Sequence, residues 1–258
     1  MKVRSPSSSI PTKRSNPHQD PERLQVWTAA AVLRELQVPE ISAPLLHSLA
    51  KRIGKDHKLA QELWDTENHE ARILATLVAE PRKVTGKLME KWTRDFDSWG
   101  IVDSACCYLF ALTDLAWAKA FTWSQRKEEF VKRAAFSLVA YLSYKDKSAP
   151  DAQFRKFLEV IEREAWDDRH FVRKAVNWAL RNIGKRNAKL NVAAIEAAEK
   201  IRTLRSTTAH WIATDALREL KSRAVQARLT RKTRRSLSER GVLHRAGTVR
   251  NGDKPGSR

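Results

Sequence analysis

From residue 22 to residue 227 the apolar residues return every three or four positions, in runs of 10–18 residues that are each cut short by a break. That period belongs to the α-helix, and no stretch alternates as a half-buried strand would. In FRKFLEVIEREAW, Phe154, Phe157, Leu158, Ile161 and Ala165 fall on one face; in RHFVRKAVNWALRNIG, Phe171, Ala175, Trp178 and Ala179 do the same. A chain of short one-faced helices cannot bury its apolar stripes except by packing helix on helix. The expected fold class is therefore all-α.

The breaks carry their own chemistry. Gly54 stands where a C-cap glycine belongs, Pro81 and Pro150 stop helices, Asp151 restarts one near its cap, and Gly184 follows a basic helix end that suits the macrodipole. These signals predict helices over 22–36, 43–53, 57–66, 68–79, 86–96, 99–111, 114–121, 126–144, 151–165, 169–183, 188–203 and 207–227. Pairs of short helices repeating every about 35–45 residues are the spacing of a HEAT-like solenoid. Residues 1–21, rich in Ser and Pro, read as a disordered N-terminal tail; 22–227 read as the repeat domain; and 228–258 read as a flexible basic C-terminal tail.

Charge narrows the partner. The chain carries 49 Lys and Arg against 30 Asp and Glu. Residues 1–24 hold +3 and residues 228–258 hold +8, which leaves +8 of the +19 on the repeat domain itself. A basic concave groove along such a solenoid would suit a polyanion, and nucleic acid is the usual one. A solubilising surface is the plainer account of the same charge. No apolar stretch approaches the roughly 20 residues that cross a bilayer, and no helix pairs a strongly basic face with an exposed apolar one, so no membrane partner is expected. The N-terminus has no signal-peptide core. Cys106 and Cys107 are adjacent, a spacing that suits neither a disulfide framework nor a metal site, and a reducing, cytoplasmic location is expected.

No phosphate-binding glycine loop, nucleophile elbow or spaced His/Cys set is present, so neither cofactor nor metal is expected. Any chemistry falls to carboxylates, aromatics and cations. Trp99 and Asp103 lie four residues apart in SWGIVD, one helical turn, on the same face. Trp178 lies between Lys174 and Arg181, and Arg133 interrupts the apolar FVKRAAFSLVAYL. Each has an ordinary account taken singly: a core Trp, a satisfied Asp, a salt-bridged or snorkelling Arg.

Together, LAKRIGKDHKLAQELWDTENHEARILATLVAEP, WTRDFDSWGIVDSAC, FVKRAAFSLVAYL and RHFVRKAVNWALRNIG resemble, in order and spacing, the AlkD-type DNA alkylation repair glycosylases, over residues 40–220. The resemblance implies HEAT-like repeats and a monomeric, monofunctional enzyme. It would hydrolyse the N-glycosidic bond of cationic alkylated purines such as 3-methyladenine and 7-methylguanine in duplex DNA, without flipping the base. The family's catalytic Asp falls on Asp103, its two lesion-site Trp on Trp99 and Trp178, and its backbone-side Arg on Arg133. Charge alone adds Arg173, Lys174 and Arg181 as candidate backbone contacts. Physical chemistry is consistent with these roles. An alkylated purine is already cationic and leaves without a general acid, positive charge moves to the deoxyribose, and a fixed carboxylate stabilises it, with indole faces beside it. Two other readings remain: a noncatalytic HEAT-repeat protein that binds damaged or branched DNA, and a protein-binding scaffold.

Overall fold

The computed structural model describes residues 26–37 and 41–247, with side chains described at 26–37, 41–235 and 238. The expected N-terminal tail, residues 1–21, and the last part of the expected C-terminal tail, residues 248–258, lie outside the described residues. Among those described, every regular element is helical: α1 Ala29–Glu35, α2 Ala43–Ile53, α3 His57–Trp64, α4 His69–Val78, α5 Gly86–Arg94, α6 Trp99–Tyr108, α7 Ala116–Trp123, α8 Glu129–Lys145, α9 Asp151–Glu164, α10 His170–Gly184, α11 Ala188–Arg202, α12 Thr207–Leu220 and α13 Arg223–Gly247. Two short 3-10 turns, Pro81–Lys83 and Phe110–Leu112, join α4 to α5 and α6 to α7.

The helices alternate between two rows. The even-numbered ones pack in sequence, α2 on α4, α4 on α6, α6 on α8, α8 on α10 and α10 on α12. Odd-numbered helices stand behind them, α3 against α4, α7 against α8, α9 against α10 and α11 against α12. This is the pairwise stacking that short helices with one apolar face require. Between the rows the side chains are large and dry. Trp64 and Trp92 stack at 4.1 Å with their planes 2° apart, and Trp123, Phe110, Phe136, Phe154 and Phe157 are fully buried. Side-chain oxygens start many of the helices: Thr28, Asp56, Asn68, Thr85, Ser98, Asn187 and Ser206 each accept from the amide three residues on, a cap that stabilises a helix by about 1 kcal/mol.

Three local features depart from the sequence expectation. Helix α1 begins at Ala29, capped by Thr28, rather than at residue 22. Gly184 does not end α10 as a C-cap; it is helical, and the cap is Lys185. A Cβ at Gly184 would lie 2.6 Å from Leu220 Cδ2 and 3.0 Å from Ala194 Cβ, so the glycine is there for close approach of α10 to α11 and α12. Finally, the run expected over 207–227 breaks at Lys221 and Ser222, and a new helix, α13, continues to Gly247. Val225 and Leu229 anchor its start in the core. The Gln226 amide donates to Asn191 Oδ1 and to the Leu220 carbonyl. Beyond Leu229 the segment has little apolar periodicity, but Arg, Leu and Lys are good helix formers.

Candidate functional site

The site is assembled from three consecutive members of the even-numbered row. Ser98 caps α6, its hydroxyl accepting from the Ile101 amide, and this fixes Trp99 at the first position of the helix and Asp103 one turn later. Trp99 is 57 % exposed, which is unusual for so large an apolar side chain. Gly100 between them faces His69 of α4, and a Cβ there would be only in ordinary contact with the imidazole at 3.6 Å. The glycine therefore leaves bare backbone on the cleft wall without being required by packing.

Helix α8 supplies what holds Asp103. Arg133 Nη2 donates to Asp103 Oδ2 at 2.8 Å, and Ser137 Oγ donates to Oδ1 at 3.0 Å. Arg133 and Ser137 are four residues apart and so project from one face of α8. The guanidinium is itself fixed, because Nη1 donates to the Phe171 carbonyl of α10 at 3.0 Å. Its side chain is 9 % exposed against 18 % for Asp103. Arg133 Nε is buried and has no hydrogen-bond partner among the described residues.

Helix α10 closes the other wall. Trp178 is half-buried and meets Tyr141 edge to face at 5.0 Å. Burial, and then the nearby Asp103 charge, push the Tyr141 phenol well above its ordinary range, so it stays protonated. Trp99, Asp103, Arg133, Lys174 and Trp178 line one cleft of about 470 Å³ together with His170 and Phe171. An adjoining cleft of about 370 Å³ shares Trp99 and Asp103 and runs past Tyr141 toward His69, Tyr108 and His47.

The structure thus brings five of the seven sequence-predicted residues together and places the other two elsewhere. The Arg173 guanidinium lies over the Trp211 ring of α12 at 5.5 Å. Arg181 Nη1 donates to Glu219 at 2.7 Å and pairs with Asp215 at 3.5 Å, both on α12. Neither Ser137 nor Tyr141 was read from the sequence as a site residue. The signal was present in the i, i+4 relation of Ser137 to Arg133, a second polar residue on an otherwise apolar stripe. Cys106 is buried, and burial pushes its thiol well up, while Cys107 is half-buried; both are free. No described helix is long and apolar enough to cross a membrane.

The arrangement is a recessed carboxylate, fixed by two donors, in a cleft that two indole rings also line. Each carboxylate oxygen accepts one hydrogen bond and keeps further lone-pair capacity toward the cleft. Such a place accepts a cation, or a group that becomes cationic, with a partly apolar body.

A family model described as "DNA alkylation repair enzyme" matches residues 17–220. No curated protein sequence matches the chain significantly. Among solved structures, one described as belonging to a family of proteins related to the HEAT-like repeat DNA glycosylases with affinity for branched DNA structures superposes with a TM-score of 0.60. It is 17 % identical and covers 78 % of this chain and 89 % of its own, which establishes a shared fold. A designed armadillo repeat protein, 17 % identical over 73 % of this chain and 98 % of its own, reaches a TM-score of only 0.30.

Proposed function

The chain belongs to the DNA alkylation repair enzyme family, and from that premise we propose that it is a monofunctional DNA glycosylase acting on cationic alkylated purines, such as 3-methyladenine and 7-methylguanine, in duplex DNA. The observation that carries this reading is the Asp103 carboxylate, fixed by Arg133 and Ser137 at the floor of a cleft walled by Trp99 and Trp178. A base alkylated at N3 or N7 carries a formal positive charge and leaves as a neutral purine, so the reaction needs no acid to protonate it. As the C1′–N bond lengthens, the charge passes to the deoxyribose. Asp103, already oriented, stabilises that oxocarbenium-like sugar and positions water for attack at C1′; water gives its hydroxyl to C1′ and its proton to solvent. Electrostatic preorganisation of this kind needs no reorientation during reaction, and losing one oriented group costs roughly 3–4 kcal/mol. Trp99 and Trp178 offer their faces to the sugar, a cation–π contact of about 0.5–2 kcal/mol. The chemistry is at the sugar, so the lesion need not be drawn out of the helix.

The cations divide by what they already hold. Lys174 is exposed at the cleft and free to meet a flanking phosphate. Arg173, over Trp211, is a second backbone contact. Arg133 and Arg181 are each committed to carboxylates, so in this reading Arg133 acts by positioning Asp103 and Arg181 by shaping the α10–α12 wall. In this reading the enzyme works as a monomer, as the family resemblance implies, and the groups named here all come from one chain.

One observation favours a second reading, a noncatalytic protein that binds damaged or branched DNA: the Arg133 guanidinium offsets the Asp103 charge before any substrate arrives. Single-turnover release of 7-methylguanine from a duplex carrying one such lesion separates the two. The glycosylase reading expects release by the wild type and a fall of at least ~100-fold in Asp103→Asn. Tight duplex binding with no release above the spontaneous rate would leave the binding protein as the account.

A further inference from the structure

Where α13 crosses the C-terminal ends of α8 and α10, a recess of about 330 Å³ is lined by Tyr144, Lys147, Asn182, Arg186, Arg228 and Lys232, together with Ser143 and Lys185. No carboxylate lines it. Of its cations, Lys185 pairs with Glu219 at 2.6 Å, a carboxylate it shares with Arg181. Arg186 is fixed by donating to the carbonyls of Ser143 and Ala149, and Lys232 donates to the Arg186 carbonyl. Among the described residues, Lys147, Arg228, Lys232 and Arg186 form no ion pair with a carboxylate.

We infer that this recess holds a backbone phosphate of duplex DNA, gripped by Lys147, Arg228 and Lys232 over the fixed Arg186. The inference rests on the DNA reading above and adds a contact point that the Asp103 cleft does not contain. The four cations share a recess that no carboxylate lines, with the Asp146 and Asp151 charges acting on Arg186 from outside it, and a bound anion relieves their mutual repulsion. The Lys232 ammonium registers the crowding: burial first, then the charges of Lys147, Arg186 and Arg228, lower it from the ordinary lysine range. Tyr144 stands at the rim as a protonated phenol, its titration pushed up to about 12 by burial and the neighbouring Cys107.

Position ties the recess to the cleft. Asn182 follows Trp178 by one turn on the same face of α10, about 6 Å along the axis, so the recess begins one helical turn from the cleft. The rings of Trp178, Tyr141 and Tyr144 run in sequence, 5.0 Å and then 5.9 Å apart, from one to the other. A duplex with its lesion sugar at Asp103 would thus present a nearby phosphate to the recess. Arg228 and Lys232 lie beyond the family-matched residues 17–220, so this grip is supplied by the chain's own C-terminal helix.

The test is binding of an undamaged duplex by the full chain over a series of KCl concentrations, with no turnover read. Arg228→Ala/Lys232→Ala is compared with the charge-matched control Arg223→Ala/Arg231→Ala, two exposed positions on α13 that do not line the recess. Each phosphate contact contributes about −0.9 to the slope of log affinity against log salt. The recess pair should flatten that slope by about 1 relative to the control and weaken binding more than the control does. Lys147→Ala, on the opposite wall, should weaken binding in the same direction, and it keeps the test open if the α13 double variant does not fold by circular dichroism. Equal slopes for recess and control variants would overturn the inference and leave the glycosylase reading untouched. So would inorganic phosphate binding in the recess with no effect of the recess variants on duplex affinity. A wild type that binds no duplex at all would overturn both.

Discussion

Asp103 is held by Arg133 and Ser137, two donors on one face of one helix, and the two differ in what they would cost to lose. Replacing Arg133 by Ala removes a guanidinium that ties α6, α8 and α10 at a single point. It also leaves a mostly buried carboxylate without its partner. Breaking such a pair costs about 3 kcal/mol or more, and urea unfolding of Arg133→Ala should show a loss of that order. Ser137→Ala leaves the ion pair intact and removes a hydrogen bond to a charged group, worth roughly 1.5–3 kcal/mol where buried. The expected outcome is a folded protein with a modestly lower Tm and a single-turnover release rate between those of the wild type and Asp103→Asn. A release rate unchanged in Ser137→Ala would mean that Arg133 alone sets the carboxylate. At this scale the sequence exposed the Trp99–Asp103 pairing, because i and i+4 share a helix face. It left Arg133 with two roles, and only the 2.8 Å contact across α6 and α8 selects the salt-bridged one.

Among the elements, α10 makes the most demanding contacts. It packs on α8 on one side and on α11 and α12 on the other, and it brings Trp178 and Lys174 to the cleft. Its close approach to α12 depends on Gly184, where a Cβ would come within 2.6 Å of Leu220 Cδ2 and 2.9 Å of Cδ1. Overpacking of this kind costs typically about 1–3 kcal/mol, so Gly184→Ala should lower Tm. Adding Leu220→Val, which shortens the opposing side chain, should recover part of the loss, and the recovery is the signature of direct contact. If the two effects simply add, the glycine serves some other purpose. From sequence, Gly184 after a basic helix end reads equally well as a C-cap. Nothing in one helix reveals which residue of another will lie against it. The segment after residue 228 posed the converse problem: weak apolar periodicity suggested a tail, while two anchors, Val225 and Leu229, and the hydrogen bonds of Gln226 are enough to start a helix that good helix formers then extend.

Across the whole molecule, repeat stacking is reinforced by buried charge. Lys132 on α8 donates to Glu164 at 2.7 Å and to Asp167 at 3.1 Å, both buried, which couples one repeat to the next. Burial works to raise the Asp167 carboxyl, but hydrogen bonds from Arg169 and Lys132 and their charges outweigh it and hold it below the ordinary range. Burial likewise works to raise the Glu219 carboxyl, but the hydrogen bonds and charges of Lys185 and Arg181 outweigh it and hold it below the ordinary range. Carboxyls depressed in the folded state contribute stability that is full above their unfolded values, about 4, and that is lost as pH falls from there through the lower folded values. A Tm series from pH 6 to pH 3 should therefore be flat near neutrality and fall below about 4. Lys132→Met should shrink that acid-dependent drop. A drop of the same size in the variant would place the acid sensitivity elsewhere.

The sequence by itself determined that this chain is helical, that its helices are short and one-faced, that they stack as pairs, and that its repeat domain is basic. Periodicity, caps and composition are properties of residues near one another in the chain, and they are legible there. It also placed Trp99 and Asp103 on a common face for the same local reason. Only the tertiary structure decided which cations face the cleft and which are spent on carboxylates. Arg133, Arg173, Lys174 and Arg181 look alike in the sequence; Asp103, Trp211 and Glu219, each 30 or more residues away, distinguish them. An electrostatic role is fixed by what lies within a few ångströms, and for these residues that neighbour comes from another helix.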